Sequence, residues 1–197
     1  MVLYTVSRFF IILFGKIFFR LAARGKANIP KDGAFILASN HVSNLDPLML
    51  GAACSRKLGY MSKEELFKNP LLAFWLRNVN AFPVKRQVHD VGAIREALKK
   101  LKGGEPLLMF PEGGRSLDGE FSDAQPGVGM LAMHTSVPIL PAFIKGSKKA
   151  MAKGEHKIRF NKIVVIFGKK FYLDKNQTYE EAANYIKNEI IALGESA

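Results

Sequence analysis

From residue 34 onward, short apolar runs alternate with helix-patterned stretches, and this alternation restricts the fold more than any other feature of the chain. "AFILAS", "LGYMSK", "VNAFPV", "PLLMF" and "PILPAFI" read as buried strands. "DPLMLGAACS" and "GVGMLAMHTS" read as helices, and "EELFKNPLLAFWLRN" as a helix broken before Pro70, because proline disfavours helical geometry in the residue ahead of it. In "DVGAIREALKKLKGG" Val91, Ile94, Leu98 and Leu101 mark one helix face, lysines occupy the other, and the closing glycines form a stop signal. A lysine-rich turn, "KGSKKAMAKGEHK", leads into "IRFNKIVVIFG" and then a terminal helix near "TYEEAANYIKNEIIAL". The expectation is a single α/β domain whose mixed, largely parallel sheet is covered by helices on both faces. Such sheets gather ligand groups at the carboxyl ends of their strands.

Size and composition fit that expectation. A chain of 197 residues, 48% hydrophobic and 23% charged, is large enough for one sizeable core and too apolar for disorder. Lys and Arg total 29 against 17 Asp and Glu, a net charge of +12 that suggests an anionic partner: nucleic acid, an acidic membrane surface or a phosphorylated substrate. Cys54 is the sole cysteine, so no intrachain disulfide forms and a reducing compartment is expected. No Cys/His spacing suits a metal, and no metal or cofactor is expected.

The first 30 residues carry basic side chains and no acid. Arg8 and Lys16 leave only "FFIILFG" between them, far short of the roughly 20 apolar residues that span a bilayer. At helical spacing Arg8, Lys16, Arg20 and Arg24 share one arc, opposite Leu3, Phe10, Phe14, Ile17, Phe18 and Leu21. Residues 1–27 therefore read as an amphipathic membrane-associating segment, its arginines facing anionic phospholipids. The other reading is a helix packed on the domain's own core. The turn-rich "GKANIPKDG" introduces the domain proper, residues 28–197.

"SNHVSNLDP", after the first strand, sets His41 and Asp46 five positions apart. On a helix that spacing rotates about 140°, so the two side chains meet only across a turn. Asp46 suits a helix N-cap and Pro47 the first helical position. A carboxylate that also accepts from one imidazole nitrogen leaves the other free to take a proton from a hydroxyl. The spacing is equally compatible with an ordinary Asp cap beside an incidental histidine. "FPEGGRS", residues 110–116, follows another strand: its glycines permit close ligand approach, and Arg115 offers a planar fork for phosphate oxygens. Glu112 is suited to positioning Arg115 or a substrate hydroxyl, or to a loop-stabilising ion pair. "FPVKR" sets Lys85 and Arg86 at a further strand end, and the prolines of "VPILPA" shape a strand entry. His89, His134 and His156 read as structural or solvated.

Together these pieces resemble the glycerolipid acyltransferase family, most closely its bacterial members acting on 1-acyl-glycerol-3-phosphate. "NHVSNLD" is similar to the family's His-four-residues-Asp motif, "AFPVKR" to its second motif, "FPEGGRS" to its third and "VPILPA" to its fourth. Gly114 departs from the pattern, standing where threonine is common. The resemblance implies that His41 is general base on the free hydroxyl of lysophosphatidic acid, that Asp46 orients it, and that the oxygen attacks a thioester directly, so that Cys54 and Ser43 need not be nucleophiles. It assigns Glu112, Gly113, Arg115, Lys85, Arg86, Lys63 and Ser116 to substrate binding, with Arg115 on the phosphate. Acyl-CoA or acyl carrier protein is then the donor co-substrate, and the cytoplasmic face of the cell membrane the expected location. Glycerol 3-phosphate or another lysophospholipid is the alternative acceptor.

Rival classes fit less well. No nucleic-acid motif appears, so no nucleic-acid partner is expected. No G-x-S-x-G elbow supports a serine hydrolase. A non-catalytic lipid-binding protein would keep the basic surface without needing His41 beside Asp46.

Overall fold

The computed structural model describes residues 2–85, 90–115, 121–155 and 157–196. In chain order the elements are α1 (Val2–Phe19), β1 (Ala22–Arg24), β2 (Ile36–Ser39), α2 (Asp46–Ala53), β3 (Gly59–Lys63), α3 (Pro70–Asn78), β4 (Ala81–Val84), α4 (Val91–Lys102), β5 (Leu107–Met109), α5 (Gly127–Thr135), β6 (Ile139–Lys145), α6 (Ser147–Ala150), β7 (Val164–Phe167) and α7 (Tyr179–Glu195). The seven strands form one sheet in the order β1-β7-β6-β2-β5-β3-β4. All neighbours are parallel except β6 and β7, so the sheet is mixed and largely parallel, as the alternation of runs implied.

Local chemistry accounts for several boundaries. The break before Pro70 separates a 3-10 turn, Glu64–Phe67, from α3, whose first N–H groups at Leu71 and Leu72 are capped by the Asn69 side chain at 3.0 and 3.1 Å. Asp90 caps α4 through the Ala93 N–H at 3.0 Å, and Thr178 with Glu181 forms a reciprocal capping box on α7.

The N-terminal reading needs correction. α1 ends at Phe19, so Arg20 and Arg24 are not on it. Arg20 has a left-handed φ of 44°, and the Leu21 N–H returns to the Gly15 carbonyl at 3.0 Å. Ala22–Arg24 then pairs with β7. Arg8 and Lys16 interrupt the apolar run but lie within one helix, and its 18 residues are by length and composition apolar enough to cross a membrane. Arg8 faces the protein: its guanidinium donates to the Cys54 carbonyl at 2.7 Å and to those of Gly51 and Ala52 at 3.4 Å, closing the C-terminal end of α2. Gly15 and Phe19 are buried against the domain, while the remainder of α1 is exposed or half-buried.

Two apolar layers cover the sheet. Leu37, Leu108 and Leu140 pack with Met49 and Leu50 of α2 and Phe19 of α1 on one face. Ile36, Leu107 and Ile139 pack with Ala97 and Leu101 of α4, Leu131 of α5 and Ile186 and Ile190 of α7 on the other. β2 is buried at every position, which explains why its run is unbroken rather than alternating. α5 approaches α7 closely at Gly129, where a Cβ would stand 2.4 Å from the Tyr179 carbonyl oxygen.

Candidate active site

β2 ends at Ser39, at the centre of the sheet, and the next residues form the floor of the site. Asn40 is buried and fixed: its amide donates to the Ile144 carbonyl at 3.1 Å and accepts the Ile144 N–H at 2.8 Å. That pins the loop to the end of β6, a role sequence spacing gave no signal for. His41 follows, 6% exposed, its ring stacked on Phe110 at 3.9 Å between centroids.

His41 Nδ1 lies 2.9 Å from Asp46 Oδ2. The same oxygen accepts the N–H groups of Val42 and Ser43, each at 2.7 Å, so residues 41–46 wrap around one carboxylate oxygen. This is how residues unable to share a helical face come to touch. It also corrects the capping expectation: Asp46 is the first helical residue, and no side chain caps α2. The carboxylate turns back into the loop, where three donors hold it, and Oδ1 is buried without a partner among the described residues. Ser43 is committed elsewhere, donating to the Met151 carbonyl at 2.6 Å and accepting the Leu45 N–H at 3.1 Å.

With Nδ1 directed at a carboxylate, the neutral imidazole carries its hydrogen there and presents Nε2 as a lone pair. His41 borders a cleft of about 280 Å³ whose other walls include Met61, Val84, Ile94, Met109 and Val128. A base at the edge of an apolar slot suits proton removal from a substrate with a long apolar part.

The "PEGGR" loop follows β5, the direct neighbour of β2. Gly113 lines the cleft with a φ of 66°, and a Cβ there would come within 2.9 Å of Gln125 Cγ, so the turn needs glycine. Gly114 is under no such demand: a Cβ at that position meets nothing within 4 Å.

Glu112 departs from its expected role. Its carboxylate accepts the His41 N–H and the Ser122 N–H, each at 3.1 Å, and the residue is 8% exposed. Each oxygen accepts one backbone N–H, so Glu112 ties the His41 loop to the far side of its own loop, and no bond to Arg115 occurs among the described residues. Burial pushes its carboxyl above the usual range, against the pull of those two N–H groups.

Arg115 is half-buried; its Nη1 is enclosed without a partner among the described residues, and its carbonyl accepts Lys153 Nζ at 2.7 Å. Lys85 lines the cleft, with Nζ 3.8 Å from Glu64 Oε1 and both side chains about half exposed. Such a pair holds an ammonium only weakly, at roughly 0–1 kcal/mol. Lys63 ends β3 beside Val84 and is not among the cleft-lining residues. Arg86, Ser116, His89 and His156 lie outside the described residues. His134 is exposed on α5, away from the cleft, bonded to the Met130 carbonyl at 2.9 Å.

Known proteins resemble this chain in sequence and in fold. The model of the Acyltransferase family matches residues 20–145. A 1-acyl-sn-glycerol-3-phosphate acyltransferase of Bacillus subtilis is 32% identical over 137 residues, 68% of each chain. A chloroplast 1-acyl-sn-glycerol-3-phosphate acyltransferase of Brassica napus is 29% identical over 174 residues, 86% of this chain and 50% of its own, so the present chain spans about half the plant relative. The crystal structure of the 1-acyl-sn-glycerophosphate acyltransferase from Thermotoga maritima superposes with a TM-score of 0.82 at 30% identity, over 95% of this chain and 78% of that one.

Proposed function

Because the chain belongs to the acyltransferase family, we propose that it transfers an acyl chain from a thioester to the free sn-2 hydroxyl of 1-acyl-glycerol-3-phosphate, giving phosphatidic acid. That it is an acyltransferase follows from the family and the shared fold; the acceptor is the one named for its bacterial and plant relatives. The observation carrying the mechanism is the 2.9 Å contact between His41 Nδ1 and Asp46 Oδ2 at the edge of an apolar cleft.

His41 Nε2 takes the proton of the acceptor hydroxyl as that oxygen attacks the thioester carbonyl. The imidazolium so formed is stabilised by the Asp46 carboxylate, whose Oδ2 is fixed by the Val42 and Ser43 N–H groups. The C–S bond then breaks, the imidazolium returns its proton to the leaving sulfur, and the donor departs as its thiol with His41 neutral again. No acyl-enzyme is needed: Ser43 is engaged by Met151, and Cys54 is buried beneath α1 with its thiol pushed up by burial. Arg115, with a guanidinium nitrogen that has no partner among the described residues, and Lys85 are suited to the acceptor phosphate. Gly113 lets the backbone approach the same group. Arg86 and Ser116 remain phosphate candidates on motif alone, and Lys63 is a weaker one. The donor is acyl-CoA or acyl carrier protein, and the enzyme works as an interfacial protein on the cytoplasmic face of the membrane, held there by α1.

The test is product identification. Purified protein is incubated with lysophosphatidate or glycerol 3-phosphate, each with acyl-CoA and with acyl carrier protein. Phosphatidic acid from lysophosphatidate is the expected product; acylation of glycerol 3-phosphate alone would move the acceptor assignment, and the donor that supports turnover identifies the co-substrate.

A further inference from the structure

Exposed apolar side chains from separate segments collect at one end of the sheet, the end that carries His41. β6 runs parallel to β2, with Ala142 beside Ser39, so Lys145 lies at the carboxyl end. β7 is antiparallel to β6, with Val164 beside Lys145, and β1 places Ala22 beside Val164. The residues just ahead of β1 and β7 therefore sit at that same end: Ile17 and Phe18 of α1, and Ile158 and Phe160. On the other side of β2, the parallel strand β3 ends at Lys63 and delivers Leu66, Leu71 and Phe74.

These side chains are open to solvent: Leu71 is 81% exposed, Phe160 76%, Phe74 64% and Ile17 61%. Two of them are joined: Phe18 stacks on Phe160 with centroids 5.2 Å apart. Apolar surface on this scale marks an interaction site. The charges nearby indicate the partner: Lys16, Arg20, Lys68, Lys157 and Lys162 are exposed around it, against the acids Glu64 and Glu65 beside Leu66. A protein seated there would cover the mouth of the site, whereas a bilayer holding the acceptor would supply it, an argument that rests on the reaction proposed above.

We propose that the first turns of α3 and the Ile158–Phe160 segment are insertion points additional to α1, and that the three together seat the His41 end of the sheet on an anionic bilayer. α1 alone would leave the enzyme free to tilt about one helix. Contacts on both sides of β2 fix the cleft toward the lipid.

The experiment uses the full chain and vesicles of phosphatidylcholine with phosphatidylglycerol. Leu71→Ser with Phe74→Ser forms one variant and Phe160→Ser another, both keeping α1. Cosedimentation is expected to show vesicle affinity lowered about tenfold or more in each, with thermal midpoints within a few degrees of the parent. Turnover of a monomeric short-chain lysophosphatidate should be unchanged, and turnover of vesicle-embedded acceptor should fall with binding. Folded variants that bind vesicles like the parent overturn the proposal, as does a parent that self-associates through this patch and does not bind vesicles. If the parent acylates neither acceptor yet its vesicle binding depends on these residues, the reaction assignment fails and the docking surface stands.

Discussion

The two long terminal helices are nearly equal in length and opposite in use. α7, with 17 residues and a mixed composition, buries Ala182, Ala183, Ile186 and Ile190 completely against the sheet. α1, with 18 residues and a far more apolar sequence, buries only Gly15 and Phe19. Its polar Ser7 and Arg8 make bonds to α3 and α2, while Val2, Val6, Phe9, Phe10, Leu13 and Ile17 form an outward stripe. Apolar content alone therefore does not identify the core. What separates the helices is whether a partner surface for the apolar stripe exists within the chain.

The sharpest break in this contrast comes from truncating equivalent side chains. Ile186→Ala should cost about 2–5 kcal/mol by leaving a cavity under α7. Phe9→Ala should stay within about 0.5 kcal/mol while weakening vesicle binding. Urea unfolding of both variants measures the difference; equal losses would mean that α1 is an ordinary core helix.

Arg8→Ala comes next. It strips the donor from the Cys54 carbonyl, with an expected loss of about 1.5–3 kcal/mol, the range for a bond from a charged group. Little or no change in the unfolding midpoint would show that the inward polar edge of α1 contributes nothing to its seating. On the other helix, Thr178→Ala removes half of the capping box and should cost about 1 kcal/mol, read from the same curves.

Glu112 gives a smaller effect, dependent on pH. Because burial raises its carboxyl, the folded state holds that proton more tightly than the unfolded chain. Its contribution is fully present below the ordinary carboxylate range and declines as pH rises through the raised value. The stability of the parent relative to Glu112→Gln should therefore fall as pH rises from the ordinary carboxylate range through the raised value; parallel stability curves would contradict this.

The sequence carried the sheet through short-range rules, whereas the spacing of His41 and Asp46 left their contact open and the family resemblance singled it out. Period and strand length marked the buried runs, and the separation of His41 from Asp46 required a turn. The use of the carboxylate was not legible: whether Asp46 faces forward to cap α2 or back to the loop depends on which N–H groups the fold brings within its reach. The partners of Glu112 were not legible for a similar reason, since the N–H groups of His41 and Ser122 are backbone atoms that exist at every position and leave no mark in composition. The inward turn of Arg8 depends on where α2 ends, a fact of packing, and the end of α1 depends on Arg20 adopting a left-handed backbone that arginine seldom takes.

The central claim is that His41, held by Asp46, removes the proton from the acceptor hydroxyl. Its most direct test is steady-state turnover of His41→Ala and Asp46→Asn with lysophosphatidate and an acyl thioester, alongside vesicle binding of the same preparations. The account predicts that His41→Ala lowers turnover by about 10²–10⁴, that Asp46→Asn also falls substantially, and that both bind vesicles like the parent. Full activity in a folded His41→Ala enzyme would contradict it.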